Sequence, residues 1–180
     1  MKRATTSLLL LFAFPSLLQA QAPNPEAVQA MKKLNFLIGQ WRGEGWTETG
    51  PGKRLLVRAM ETVQSKVGGE LLFIEGLGTS RSAPDQPETK GHDALGFLYY
   101  DVKAKMYRFQ GHRGGGLAID SEAKVTDGSF AWQFTDDRSG ATIRFTMRLS
   151  DKGEWFEIGE ASVDGQTWRK FFEMTLQKTN

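Results

Sequence analysis

The chain has 180 residues, no cysteine, and 23 Lys+Arg against 21 Asp+Glu. Lacking cysteine, it has no disulfide to staple its fold and no thiol for a lipoprotein anchor, so a packed core must hold it. The near balance of charge excludes the excess positive field that draws proteins to nucleic acid or anionic lipid.

The N-terminal residues read as an address. Lys2 and Arg3 form a basic segment, residues 8–14 an apolar one, and Ala20 and Ala22 supply small residues of the kind a signal peptidase reads. Pro15 interrupts a run already too short to span a bilayer. Residues 1–20 are therefore read as a cleaved signal peptide, with cleavage after Ala20 or, alternatively, Ala22, and a periplasmic or secreted location. Removing them takes Lys+Arg from 23 to 21, equal to Asp+Glu. What remains suits one domain: a lead-in and helix over 21–38, then a barrel over 39–180.

Asn24 is a good N-cap, Pro25 fits the first helical position and Glu26 favours the positive end of the helix dipole. Val28, Met31, Leu34 and Leu37 then recur at helical spacing, which predicts one amphipathic helix over 25–37, stopped by Gly39. A helix this short needs a surface to lie on, such as the end or flank of a barrel.

From Trp41 the period becomes two. Strands are predicted at 40–48, 53–67, 70–80, 93–101, 106–112, 117–124, 129–136, 142–150, 154–163 and 167–178, separated by turn signals such as Gly68-Gly69, Asp127-Gly128, Ser139-Gly140 and Asp164-Gly165. Such a meander of about ten strands predicts an all-β, up-and-down antiparallel barrel, because closure removes exposed edges. The longer connection from Arg81 to Gly91 holds Pro84 and Pro87 and reads as a surface loop. Strand 142–150 alternates cleanly, with Ile143, Phe145, Met147 and Leu149 on one face, whereas 71–74 and 95–100 are apolar on both. Two-sided strands want an outer cover, from the helix or from a second copy in a homodimer.

Gly39-Gln40-Trp41 resembles the opening of calycin barrels, the lipocalins and fatty-acid-binding proteins, whose first strand begins Gly-x-Trp after a short helix. The stretch from Leu37 to Gly45 is similar to that of nitrobindin-type haem-binding barrels. Glu61-Thr62-Val63, the segment from Gly91 to Gly96, Asp164-Gly165-Gln166-Thr167-Trp168 and Lys170-Phe171-Phe172-Glu173-Met174 resemble an exported bacterial calycin-like family of unknown function. The resemblance implies a structural Trp41 packed across the closed end beneath a basic side chain, with Arg169 or Lys178 available. In nitrobindin-type barrels it also implies a haem-ligating histidine on the last strand. Here that strand has none, which disfavours haem as a cofactor, and Met174 reads as a core methionine rather than an axial thioether.

The chemistry-bearing residues are few. His92 and His112 are the only histidines, and their spacing offers no converging ligand set, so no metal is expected. The triple glycine after Arg113 lacks the following helix a phosphate loop needs. No nucleophile elbow is present. Glu75, Glu157, Glu160 and Glu173 lie within strands, where outer, solvated faces are the commoner outcome. Any that faced a cavity would have raised pKa values and could do acid–base work. Three functional readings follow. The leading one is a non-catalytic barrel binding a small, mostly apolar or amphipathic ligand in its lumen, with no membrane span and no nucleic acid. Tyr99, Tyr107, Arg108, His112, Trp132 and Arg148 are its candidate lining or rim residues. The alternatives are an isomerase- or cyclase-type enzyme using a cavity carboxylate or histidine, and a structural or interaction barrel with a filled core.

Overall fold

The computed structural model of the protein describes residues 22–179, so the signal-peptide reading over 1–20 lies outside the described residues. Ten antiparallel strands close into a barrel: β1 (Gly39–Gly50), β2 (Lys53–Lys66), β3 (Leu71–Arg81), β4 (Thr89–Asp101), β5 (Met106–Arg113), β6 (Leu117–Thr126), β7 (Ser129–Thr135), β8 (Thr142–Leu149), β9 (Trp155–Ser162) and β10 (Arg169–Thr179). Each pairs with its sequence neighbours, and β10 returns to β1 with Trp41 opposite Lys178 and Trp46 opposite Glu173. The predicted strands fall within a few residues of these, and the turn glycines stand in left-handed conformation, for instance Gly128 at φ 74° and Gly165 at φ 71°.

The seam between β1 and β10 has an unusual demand. A Cβ placed on Gly43 would lie 2.0 Å from the carbonyl oxygen of Thr175, and one on Gly45 equally close to that of Glu173. The two backbones therefore approach more closely than any side chain permits. The glycines there are a steric requirement of closure.

Asn24 caps helix α1 (Pro25–Met31), its side-chain oxygen accepting from the backbone N–H groups of Glu26 (2.9 Å) and Ala27 (3.2 Å). The expected single helix over 25–37 is not formed. From Lys32 to Leu37 the chain tightens into a 3-10 helix. The burial pattern explains this: Met31, Leu34 and Leu37 are all buried, and an i, i+3 spacing is eclipsed only when a turn takes three residues. These side chains plug one end of the barrel, packing with Trp41, Val63, Leu72 and Leu98. Trp41 locks plug to wall, its indole Nε1 donating to the Leu37 carbonyl at 2.7 Å while its ring meets Trp155 edge-on at 5.7 Å. Lys178 Nζ lies 5.1 Å from the Trp41 ring centroid, whereas Arg169 pairs with Glu48. The Tyr107 hydroxyl donates to the Ala30 carbonyl at 2.9 Å, fixing α1 to the same end.

The outer cover expected over the two-sided strands does not come from the helix, which occupies the end. Phe73 and Phe97 shield each other across β3 and β4 with centroids 5.5 Å apart, while Leu77 and Leu95 stay 43% and 41% exposed.

Gly43→Ala or Gly45→Ala is expected to lower unfolding free energy by about 3 kcal/mol, the upper end of overpacking costs. Gly50→Ala, with no atom within 4 Å of its added methyl, is the control and should change it by less than about 0.5 kcal/mol. Urea unfolding curves of the three variants make the comparison.

Candidate functional site

Alternation along each strand assigns the lumen faces. Buried Phe109 places the odd positions of β5 inside, Met147 does so for β8, and the even positions of β4 follow Leu98. Around the inside the two sides differ. β7, β8 and β10 project Trp132, Phe145 and Phe172. Trp132 stacks between Phe130 (5.0 Å, 16°) and Phe145 (5.3 Å, 17°) and touches Phe109 at 4.6 Å, making a continuous aromatic wall. Opposite, β2 to β4 turn in Ala59, Gly76, Gly78, Ala94 and Gly96. Trp132, Phe145 and Phe172 are only partly buried although they face inward, so solvent reaches them from the end remote from the plug. The stacked rings give that side an apolar surface, and on the other the places left by Gly76 and Gly96 are taken by Glu61, His92 and Phe109.

Among these apolar groups stand two acids. Glu61 on β2 and Glu157 on β9 are 8% and 6% exposed. Glu61 is paired across the sheets with Trp41 and Gly76, and the missing side chain of Gly76 is what makes room for it. A Cβ there would lie within 3.0 Å of both Glu61 carboxyl oxygens and 3.1 Å from His92 Nε2, so acid and imidazole converge above one glycine. Glu157 accepts a hydrogen bond from the Trp155 indole at 2.9 Å. Burial, assisted by the neighbouring Glu157 charge, pushes the Glu61 carboxyl well above the usual carboxylate range. Burial also raises Glu157 to about 7, outweighing the opposing Trp155 hydrogen bond. His92 is lowered by burial and then by the Arg113 charge at the mouth, with Asp93 opposing. At neutral pH the lumen thus holds a neutral imidazole and acids poised to be neutral or charged. Such a set can accept or donate hydrogen bonds and move protons.

The candidate lining residues divide. Trp132 and Tyr107 face inward, Trp132 in the aromatic wall and Tyr107 against the plug. Tyr99, Arg108, His112 and Arg148 lie on the opposite parity and face outward. Arg108 pairs with Asp120, Arg148 lies 4.8 Å over the Phe156 ring, and His112 is exposed. Strand alternation separates the faces but does not say which is the lumen. Of the four strand carboxylates, Glu157 alone faces in. Glu75 is exposed, Glu160 pairs with Arg144 at 2.8 Å and Glu173 with Lys170 at 2.5 Å. Glu61 was not among the candidates, although its place in a strand whose partner carries Gly76 directly opposite was a usable signal.

The inner face of β10 presents Phe172, Met174 and Leu176, and Met174 is 4% exposed within the core cluster. His92 belongs to the Glu61 corner and His112 to the outside. Neither histidine lies on the last strand. Among the described residues no group of three or more His, Asp or Glu converges for a metal ion. No described helix is long and apolar enough to cross a membrane. A surface hollow between β1, β2, β3 and the following loop is lined by Glu44, Leu56, Arg58, Thr79, Arg81 and Glu88. Its charges already satisfy one another, Arg58 bonding Glu88 at 2.7 Å and Glu44 at 3.2 Å, so it offers little to a ligand.

Fold and site together define a calycin-like barrel, plugged at one end, with a polar corner inside an aromatic lumen. Several solved structures share the fold, among them the following two. The crystal structure of Rv2717c from M. tuberculosis aligns at a TM-score of 0.57 and 17% identity, covering 87% of this chain and 99% of that one. The S-type phycobiliprotein lyase CPES from Guillardia theta aligns at 0.55 and 12%, covering 88% and 98%. No protein-family model matches the chain, and no curated protein does.

Because Glu157 holds its proton more tightly folded than unfolded, its contribution to stability is fully present below the ordinary carboxylate value of 4.5 and is lost as pH rises through about 7. Glu61 acts in the same direction, whereas His92, with its pKa lowered, contributes oppositely below its ordinary 6.5. Glu157→Gln is expected to remove about 3 kcal/mol of this loss between pH 4.5 and 8. Denaturation midpoints across that range, compared between the two proteins, measure it.

Proposed function

We propose that the protein is an exported binder of a small, mostly apolar molecule, held in the barrel lumen without chemical change. The carrying observation is the one-sided lumen: a stacked aromatic wall, reachable by solvent, faces a wall of glycine and alanine, with Glu61, Glu157 and His92 as its polar corner. Apolar burial on the rings contributes about 25 cal/mol per Å², and a few polar groups fix orientation. One of the aligned structures is a phycobiliprotein lyase, so a barrel of this fold can serve more than architecture. Export rests on the signal-like residues 1–20.

One observation favours a second reading. A lumen acid at about 7, Glu157, together with Glu61 raised well above the usual range beside the His92 imidazole, is a set tuned for proton transfer, as an isomerase or cyclase requires. Turnover in a substrate screen that survives both Glu157→Gln and Glu61→Gln discards it.

Ala94→Phe, on the half-exposed inner face of β4, fills the lumen and leaves the strand ladder intact. It is expected to abolish the fluorescence enhancement of N-phenyl-1-naphthylamine, and Trp132→Ala to weaken it by on the order of tenfold. Tyr99→Ala and Arg148→Ala, on the outer face, should change it less than about twofold. Unchanged probe binding in Ala94→Phe contradicts a lumen site.

A further inference from the structure

The acids at the polar corner differ from the others paired on this barrel. Glu44, Glu48, Glu88, Glu160 and Glu173 each meet an arginine or lysine on the outside. Among the described residues no ion pair reaches Glu61 or Glu157. Glu61, more than nine-tenths buried, accepts no hydrogen bond from any described residue, and Glu157 has the Trp155 indole as its single partner. The nearest cations are held elsewhere. Lys178 lies on the Trp41 ring at the plugged end, and Arg113 stands at the mouth, where its field falls on His92. Across the lumen, on β6, the Ser121 Oγ is wholly buried and also without a partner. Buried polar groups in folded proteins are nearly always satisfied, and a buried carboxylate without a cation is costly. One wholly buried hydroxyl without a partner, one acid without a hydrogen bond and one with a single indole donor, all facing one lumen and none with a cation, mark where a guest atom belongs.

We propose that the lumen takes a small amphipathic amine, its ring or hydrocarbon body against Trp132 and Phe145 and its protonated nitrogen between Glu61 and Glu157. This rests on the lumen-binding reading and adds the charge of the guest. An ammonium carries N–H donors only, and the two acids, whose ionised form a neighbouring cation favours, then present acceptors only, so each satisfies the other. Ring faces of the aromatic wall attract the same cation. A carboxylate-bearing guest would meet like charge at the end of the lumen. A neutral guest could donate at most a hydrogen bond and would leave the ionised acids without a counter-charge.

The test compares two probes of one shape, 1-naphthylmethylamine and 1-naphthylmethanol, by isothermal titration calorimetry. The unaltered protein is expected to bind the amine on the order of tenfold more tightly. The Glu61→Gln/Glu157→Gln double variant, which keeps shape and volume, should bring the two within about twofold and leave the alcohol unaffected. Equal affinities in the unaltered protein, or an amine preference that survives in the double variant, overturn the proposal while leaving the lumen reading in place. Failure of both probes to bind overturns the lumen reading too. The first comparison needs no variant, so a double variant that failed to fold would still leave it decisive.

Discussion

Closure of this barrel depends on a backbone-to-backbone approach that only glycine allows. Gly43 and Gly45 let β1 press onto the carbonyls of Thr175 and Glu173 in β10, and the ladder from Gln40 to Thr47 forms there. Trp41 begins that same strand. Its side chain ties the seam to the plug through the Leu37 carbonyl and to β9, the strand beyond β10, through Trp155. Seam, plug and lumen are therefore one mechanical unit. Opening β1 from β10 would expose the plug residues and the acids together.

The lumen spends stability to keep its polar corner. Burying Glu61 and Glu157 raises their proton affinity, and above neutral pH both press against the fold. Nothing in closure or packing needs carboxyls there, since Leu72, Ile74 and Leu98 show how the neighbouring layers are filled. Gly76 has surrendered its own side chain so that Glu61 and His92 can stand over it, and Gly96 makes the same concession to Phe109. A corner maintained at this cost points to use rather than to architecture.

Much of the fold was legible from residues. Period-two patterning from Trp41 and the glycine-centred turns located the strands, and Gly-x-Trp located the start of closure. The split helix was not legible, because i, i+3 and i, i+4 spacings coexist in Val28, Met31, Leu34 and Leu37, and only burial by the barrel end chose the tighter turn. The site was half legible. Trp132 and Glu157 were named, but parity alone could not tell lumen from outer wall, so Tyr99, Arg108, His112 and Arg148 were grouped with them. The separating physics is cross-strand: Arg108 has Asp120 and Arg144 has Glu160 as outer partners, while Glu157 has none. Gly76 in the following strand hinted at room for a side chain from β2, and the register is what shows that this side chain belongs to Glu61.

Where a guest sits is the claim on which the functional account turns, because the outer face of β3 and β4, with Phe73, Phe97 and Tyr99, is a rival apolar surface. Intermolecular nuclear Overhauser contacts from bound 1-naphthylmethylamine decide it. The account expects its ring protons to contact Trp132 and Phe145 and its methylene protons to contact Glu61. Contacts confined to Phe73, Phe97 and Tyr99 would contradict it.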